Sequence, residues 1–411
     1  MARPRLLFLA HRIPYPPDKG DKIRAWHMLD HLAERWDVEL GCLVDDPEDL
    51  HHLPTLRARC AAVEHALIAG RGGIARVLAG LRPGRPLSLA WFHDVRLAAW
   101  ARGGLAAGRY DAVLAFSTAM APYAMGPAPA GTRRVLDMVD VDSLKFRAYA
   151  DAARAPMRQF WAREARTLLA FERRAVAAFD QSLLVTRAEA ERFAELAPEA
   201  AGRIAAVENG VDLGRFHPAL AFPPPTRASG PTIVFTGRMD YRPNVDAVRF
   251  FAREVVPLVR ARHAEAIFAV VGAAPAPEVL ALADLPGVQV TGTVPDTRPY
   301  LAEAAVCVAP LRIARGIQNK VLEAMAMARP IICSPEAFEG VRATAGRDVL
   351  LAIDPADWAA RIDEVLAGGH PLLGARARAA VEAGHDWAVT LRGLDAALEG
   401  RPVAALHEEA A

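Results

Sequence analysis

Lysine is nearly missing from this chain: of its 49 basic residues only Lys19, Lys22, Lys145 and Lys320 are lysine. The excess of arginine and alanine reads as compositional drift. The four remaining lysines are worth following, although drift alone also leaves a few at random. Cysteine is scarce as well. Cys42, Cys60, Cys307 and Cys333 form no C-x-x-C pair and show no metal-ligand spacing, and their apolar surroundings predict reduced core thiols, as in a cytoplasmic protein. Net charge is almost absent, at +1, which excludes a general nucleic-acid binder with its basic excess. Long unbroken hydrophobic runs are absent too. The longest uncharged stretch, 112–132, holds Pro122, Pro127, Pro129, Gly126 and Gly131, so a strand, a turn and a short helix are expected there, not a membrane span. The opening MARPRLLFLAH is too short for a signal peptide and precedes no small-residue cleavage site, so a soluble chain is expected. No carboxylate cluster suits Mg²⁺. No G-x-G-x-x-G follows the first apolar run, which disfavours a nicotinamide or flavin site and an oxidoreductase.

What is present is ordinary globular composition over 411 residues, 53% hydrophobic and 24% charged, enough for two domains with separate cores. Short apolar runs alternate with amphipathic, helix-length segments. The first series is RLLFLA (5–10), VELGCLV (38–44), AVLAFS (112–117), RVLDMV (134–139), QSLLVT (181–186) and RIAAVE (203–208). The second is TIVFTG (232–237), AIFAVVG (266–272), VQVTG (288–292), AVCVAP (305–310) and PIICS (330–334). Continuous rather than alternating apolar strands predict parallel sheets covered on both faces, an α/β class. The Pro-rich stretch 217–231 reads as a linker. The expectation is two doubly wound, Rossmann-like domains facing across a cleft: 1–216, the linker, and 232–385, with a C-terminal helix in 386–411 packing back on the first. In such sheets the loops after the strands carry the chemistry.

Four loops stand out. After the first strand, Lys19, Gly20, Lys22 and Arg24 cluster at a helix start, where free N–H groups and the helix dipole favour an anion. A Pro-stiffened turn with a solvated helix start fits that pattern equally. In 309–327, Arg312 and Arg315 precede a helix opened by Gly316, on which Asn319, Lys320 and Glu323 fall within one turn. The spacing also fits a plain intrahelical Lys320–Glu323 pair. Arg238, Asp240 and Arg242 follow the strand at 232–237, and Asn209, Gly210 and Asp212 lie near the domain junction, where Asn-Gly also fits a tight turn with positive φ.

ENGVDLGRFHP (208–218) resembles the N-G-V-D-x-x-x-F-x-P hinge signature of glycosyltransferase family four, FTGRMD (235–240) its glycine-arginine phosphate loop, and LEAMAMARPIICS (322–334) its L-E-A-M-A run. DKGDKIRAWHMLDHLA, RRVLDMVDVDS, DYRPNVDAV and APLRIARGIQNKVLEAMA together resemble a narrower group, the sugar transferases associated with exosortase A and PEP-CTERM sorting. The resemblance implies a GT-B fold and a retaining, metal-independent hexosyltransferase. Such an enzyme needs no cofactor, using a nucleoside diphosphate sugar as co-substrate, and works in exopolysaccharide or cell-surface glycan synthesis at the cytoplasmic face of the membrane. Glu323 matches the second glutamate of the family's E-x7-E pair, which holds the donor ribose, and the first falls at Arg315. Arg238 matches the phosphate-binding arginine, while the family's lysine position falls at Pro243, so Arg242 or Lys320 would take over that charge.

The resemblance thus implies Arg238, Lys320 and Arg315 as the catalytic charges on the leaving diphosphate. Asn209, Gly237, Arg242, Gly316, Asn319 and Glu323 complete the donor site, and Lys19, Gly20, Lys22, Arg24, Asp140 and Asp142 are expected to form an acceptor or phosphate loop, although Asp142-Ser143 ahead of a helix fits a cap equally. Val139 and Asp140 stand where many members have histidine, so no histidine base is assigned. The acceptor would be a glycan or lipid-linked hydroxyl. Nine arginines in 51–109 would favour peripheral contact with an anionic membrane, or would simply be solvated helix faces. A nucleotide-sugar epimerase of the same fold, and a non-catalytic glycan- or nucleotide-binding relative, are the rival readings.

Overall fold

The structure, a computed structural model, describes residues 3–68, 84–225, 230–313 and 316–403. The chain divides into two compact units. The first runs to Glu208 and includes the residues from Leu391 on; the second is Asn209–Thr390.

Seven parallel strands form the first sheet: β1 (Arg5–Ala10), β2 (Asp37–Val44), β3 (Ala62–Leu67), β4 (Ala112–Phe116), β5 (Arg133–Val139), β6 (Gln181–Leu184) and β7 (Ile204–Ala206). Their order is β3-β2-β1-β4-β5-β6-β7. Six more form the second: β8 (Thr232–Thr236), β9 (Ile267–Val271), β10 (Val288–Val290), β11 (Val306–Ala309), β12 (Ile331–Cys333) and β13 (Leu350–Leu351), in the order β10-β9-β8-β11-β12-β13. All eleven apolar runs of the sequence are strands. The central ones read as unbroken apolar stretches because both faces are covered; Leu6, Leu7, Phe8 and Leu9 of β1 are fully buried. Each such side chain contributes about 1.5–3 kcal/mol. Two strands had no apolar run to reveal them. Edge strand β3 is half-exposed and carries Glu64 and His65, and β13 is two residues long.

The order reverses between β1 and β4 in the first sheet and between β8 and β11 in the second. A crevice opens at such a switch point outside the carboxyl ends of the strands, so β1, β4, β8 and β11 define where a ligand would lie in each unit. Each sheet anchors its own core.

The division between units falls at Glu208/Asn209, ahead of the expected 216, because Asn209 and Val211 are stitched to the end of the second unit. The Val211 N–H donates to the His385 carbonyl at 2.7 Å, and buried His385 takes the Arg342 N–H on Nε2 at 2.8 Å while Nδ1 meets the Asn209 carbonyl at 3.2 Å. Gly210 does not adopt the positive φ that a tight turn would need. Glycine is required there because a Cβ would sit 2.8 Å from the Trp387 backbone nitrogen. Residues 391–398 belong to the first unit, where Asp395 pairs with His31 and Arg35, and Arg133 donates to the Ala397 carbonyl. Among the described residues no helix is long and apolar enough to cross a membrane.

Candidate functional site

In the first unit the strand-end loops are rich in charge, and most of it is matched internally. β1 delivers His11, and the loop beyond leads into helix α1 (Gly20–Leu32), with Lys19 at its N-cap position and Gly20 opening it. Lys22 and Arg24, expected to present charge to an anion, do not. Both are buried to 1% exposure. Lys22 Nζ lies 2.7 Å from Asp49, and Arg24 forks onto the fully buried Asp137 of β5, with Nη2 at 2.7 Å and a second bond to the Val207 carbonyl. These are folding contacts: a buried cation must be paired, and these are. Lys19 and Gly20 stay at the surface of that turn, and Lys19 has no ion pair among the described residues.

Around His11 lies a second network. Its Nε2 is 3.2 Å from Asp21, which also binds Arg12 at 2.6 Å, and Arg12 reaches Asp45 at 2.8 Å. Burial would push the Asp21 carboxyl up, but His11 and Arg12 together hold it well below the usual range. The His11 ring stacks on Phe116, and its Nδ1 is buried without a hydrogen-bond partner.

Asp140 and Asp142 come together beyond β5, where the backbone is forced. Val139 has φ 66°, a conformation rare for a β-branched residue, at a register shift in β5, and Ser117 beyond β4 has φ 78°. Asp142 opens helix α2 (Asp142–Ala152). Crowding desolvates both carboxyls and raises their pKa; Lys145 pulls both down again, as does Arg24 on Asp140 and His11 on Asp142. Behind them, on helix α3 (Met157–Ala178), sits Glu172, which the sequence reading missed. It is fully buried, accepts the Ser143 N–H at 3.1 Å, and is pushed up to about 7 by burial. Its spacing was a usable signal: Glu164, Leu168, Glu172 and Val176 recur every four residues along the buried stripe of α3.

In the second unit the backbone after β8 runs against the end of β9. A Cβ on Gly272 (φ 148°) would collide with the Gly237 carbonyl, and one on Gly237 (φ 154°) would lie 2.7 Å from Asn244 Nδ2. Both glycines therefore allow a close approach that no side chain permits. Asn244, on helix α4 (Arg242–Phe250), donates to the Arg238 carbonyl at 2.8 Å and accepts from Lys320 Nζ at 2.9 Å. Lys320 belongs to helix α5 (Asn319–Ala326), and its ammonium also lies 5.0 Å from the centroid of the Phe235 ring. Burial pulls its pKa down to about 8, with Glu323 opposing. The anticipated Lys320–Glu323 ion pair does not form, since Lys320 points to Asn244. The Glu323 carboxylate makes no hydrogen bond among the described residues, and burial raises its pKa against the pull of Lys320 and Arg215. Asn319 Oδ1 is buried and unpartnered.

The helix start in this loop differs from the expectation. Helix α5 starts at Asn319 and not at Gly316, which is left-handed (φ 66°) three residues earlier. Arg312 is engaged by Asp246 through two bonds of 2.6 and 2.9 Å. Arg315 lies outside the described residues. Arg238 reaches back to Asp240 at 2.7 Å, and Arg242 is exposed at the start of α4. Asn209 contributes its carbonyl to His385. Of the nine arginines of 51–109, Arg71, Arg76 and Arg82 lie outside the described residues, Arg59 and Arg109 pair with Asp30 and Glu39, and Arg102 holds the Pro122 carbonyl. The described residues contain no group of three or more His, Cys, Asp or Glu able to hold a metal ion.

Two parallel α/β units of this kind also occur in solved structures. A sucrose-phosphate synthase from Thermosynechococcus elongatus matches with TM-score 0.67 at 18% identity, covering 95% of this chain and 97% of that one. HepE of Anabaena in complex with UDP and glucose matches with TM-score 0.67 at 12% identity, covering 96% and 100%. A glycosyltransferase from Rickettsia africae matches with TM-score 0.65 at 12% identity, covering 96% and 98%. The fold is GT-B. Residues 230–368 match the family model described as group 1 glycosyl transferases, a segment that spans Gly237, Asn244, Lys320 and Glu323 of the GT-B chain. No curated protein matches the sequence. The matched segment and the GT-B fold together support a glycosyltransferase.

Proposed function

We propose that the chain transfers a hexosyl unit from a nucleoside diphosphate sugar to an acceptor hydroxyl with retention of anomeric configuration. The observation that carries this reading is the Lys320 ammonium, partly buried, held by Asn244 beside the Gly237 backbone and lacking an ion pair among the described residues. A cation kept in such a place with no carboxylate in direct contact suits a ligand that brings the negative charge with it. Lys320 and Arg238 stabilise the departing diphosphate, joined by Arg315, Arg242 and the turn at Gly316. Glu323 accepts hydrogen bonds from ribose hydroxyls, and Asn319 and Asn209 flank the donor. In this reading the charge is met by side chains, so catalysis needs neither a metal ion nor a cofactor. HepE of Anabaena, with UDP and glucose bound on the same fold, supports a uridine nucleotide as the first to test.

Asp140 and Asp142 orient the acceptor, and Lys19 stands near its phosphate when the acceptor is lipid-linked. We place the reaction in exopolysaccharide or cell-surface glycan synthesis, in the exosortase-associated subgroup, at the inner face of the cell membrane. Calorimetric titration with UDP, GDP and ADP, followed by assay for slow hydrolysis of the matching nucleotide sugars, tests the reading. Binding of one nucleotide with release of free sugar is expected, unaffected by EDTA. Interconversion of the sugar without its release would instead indicate an epimerase. Absence of any nucleotide binding would overturn the proposal.

A further inference from the structure

One surface of the first unit takes no part in the proposed chemistry. Helices α2 and α3 form a hairpin whose turn and flanks, 151–160, are exposed almost throughout. Four aromatic rings gather on it. Trp161 stacks on Phe146 with centroids 5.5 Å apart, and meets Tyr149 at 5.7 Å and Phe160 at 4.9 Å edge to face. Such a cluster normally closes a core. Here Tyr149 is 42% exposed, Phe160 40% and neighbouring Met157 45%.

The charge around these rings has one sign. Residues 145–166 carry six basic side chains and two acidic ones, and one of the acids, Glu164, is buried and taken up by the N–H groups of Leu87 and Ser88. The other, Asp151, pairs with Arg147 at 3.9 Å. Arg154, Arg158 and Arg166 are exposed and form no ion pair among the described residues.

Half-exposed aromatic and thioether side chains ringed by uncompensated guanidinium groups match the chemistry of a membrane interface. The rings settle at the boundary of headgroups and acyl chains, and the guanidinium groups meet lipid phosphates. A second copy of this chain fits less well, because a self-complementary contact would bring the same arginines against each other. We propose that the α2–α3 hairpin docks the protein on the surface of an anionic lipid bilayer. This deepens the peripheral-membrane part of the reading above and places it on the hairpin instead of the arginines of 51–109. It does not rest on the donor site, so calorimetry with nucleotides and the vesicle assay below can fail separately.

The test is flotation of the full chain with phosphatidylcholine vesicles, with and without phosphatidylglycerol, at low and high salt. Binding is expected only to the anionic vesicles and weakens with salt. R154Q combined with R158Q lowers the affinity about 30-fold, two charges at roughly 1 kcal/mol each. M157S combined with F160S lowers it by a comparable factor even at low salt. Circular dichroism and retained nucleotide binding show that both variants are folded. Anionic-vesicle binding that survives both pairs of substitutions, or equal binding to neutral vesicles, would overturn the proposal. So would a dimer in solution that these substitutions dissociate while no vesicle is bound, which would make the hairpin a self-association surface.

Discussion

The strand-end loops of the two units treat charge in opposite ways. In the first, Lys22 with Asp49, Arg24 with Asp137, and Arg12 with Asp21 and Asp45 close on each other, so the loops after β1 are held by their own ion pairs. In the second, Lys320 and Glu323 sit within one turn of α5, both desolvated; each favours the other's charged form, but they form no direct ion pair. The backbones differ as well. The second unit uses Gly237 and Gly272 where chain must touch chain, while the first carries a β-branched residue, Val139, at positive φ; isolated positive φ at a small residue occurs in both, at Ser117 in the first and at Ala274 and Ala328 in the second. A buried charge that is paired reports on folding, and one left unpaired at a strand end reports on a ligand. Local density of basic residues does not separate the two cases.

The sharpest way to break this contrast is to remove a partner in each unit. Asp137→Ala strands Arg24 in the interior and is expected to cost about 3–5 kcal/mol in guanidinium denaturation. Lys320→Met removes a desolvated charge but also the donor to Asn244, so its cost is expected to be about 1–2 kcal/mol, well below that of Asp137→Ala; equal losses in the two variants would erase the distinction. The next effect concerns Glu172. Its folded pKa of about 7 lies above the ordinary 4.5, so between those values the native state holds a proton that the unfolded chain has lost. This raised pKa contributes stability at low pH that is lost as pH rises toward 7. Glu172→Gln should therefore gain on the wild type by roughly 3 kcal/mol from about pH 4 to about pH 8, read by denaturation at both ends.

Lys320→Met is then expected to weaken nucleoside diphosphate binding by about 10- to 100-fold, the value of hydrogen bonds to a charged group. The ammonium is charged below about 8, so wild-type affinity should fall as pH rises through that value, while the variant stays flat. A parallel pH profile in both would remove Lys320 from the site. Smallest is Gly210→Ala, which forces Trp387 to move and should cost about 1–2 kcal/mol, seen as a lowered Tm with donor affinity unchanged.

Fold class was legible because buried parallel strands write themselves as continuous apolar runs, and only β3 and β13 escaped, one too polar and one too short. The charged loops were legible as loops but not as sites. Lys22 and Arg24 looked like an anion cradle because a sequence displays charges without their partners. Asp49 lies 27 residues away and Asp137 113. Lys320 and Glu323 invited the opposite error: three residues apart, they suggested a local pair, yet Lys320 is claimed by Asn244, 76 residues earlier. Asp140 and Asp142 were singled out as acceptor candidates, and the structure brings their carboxyls near each other beyond β5. Glu172 behind them needed only the observation that a carboxylate had fallen on an apolar stripe.

The interleaving of the chain has a consequence for its synthesis. The first unit is translated first but finished last, because Asp395 and Ala397 lock onto His31 and Arg133 only after the whole second unit has been made. At ordinary translation speeds that interval is roughly ten to forty seconds. Throughout it the nascent first unit lacks its closing segment, while the second, contiguous in sequence, can fold in one pass as it emerges.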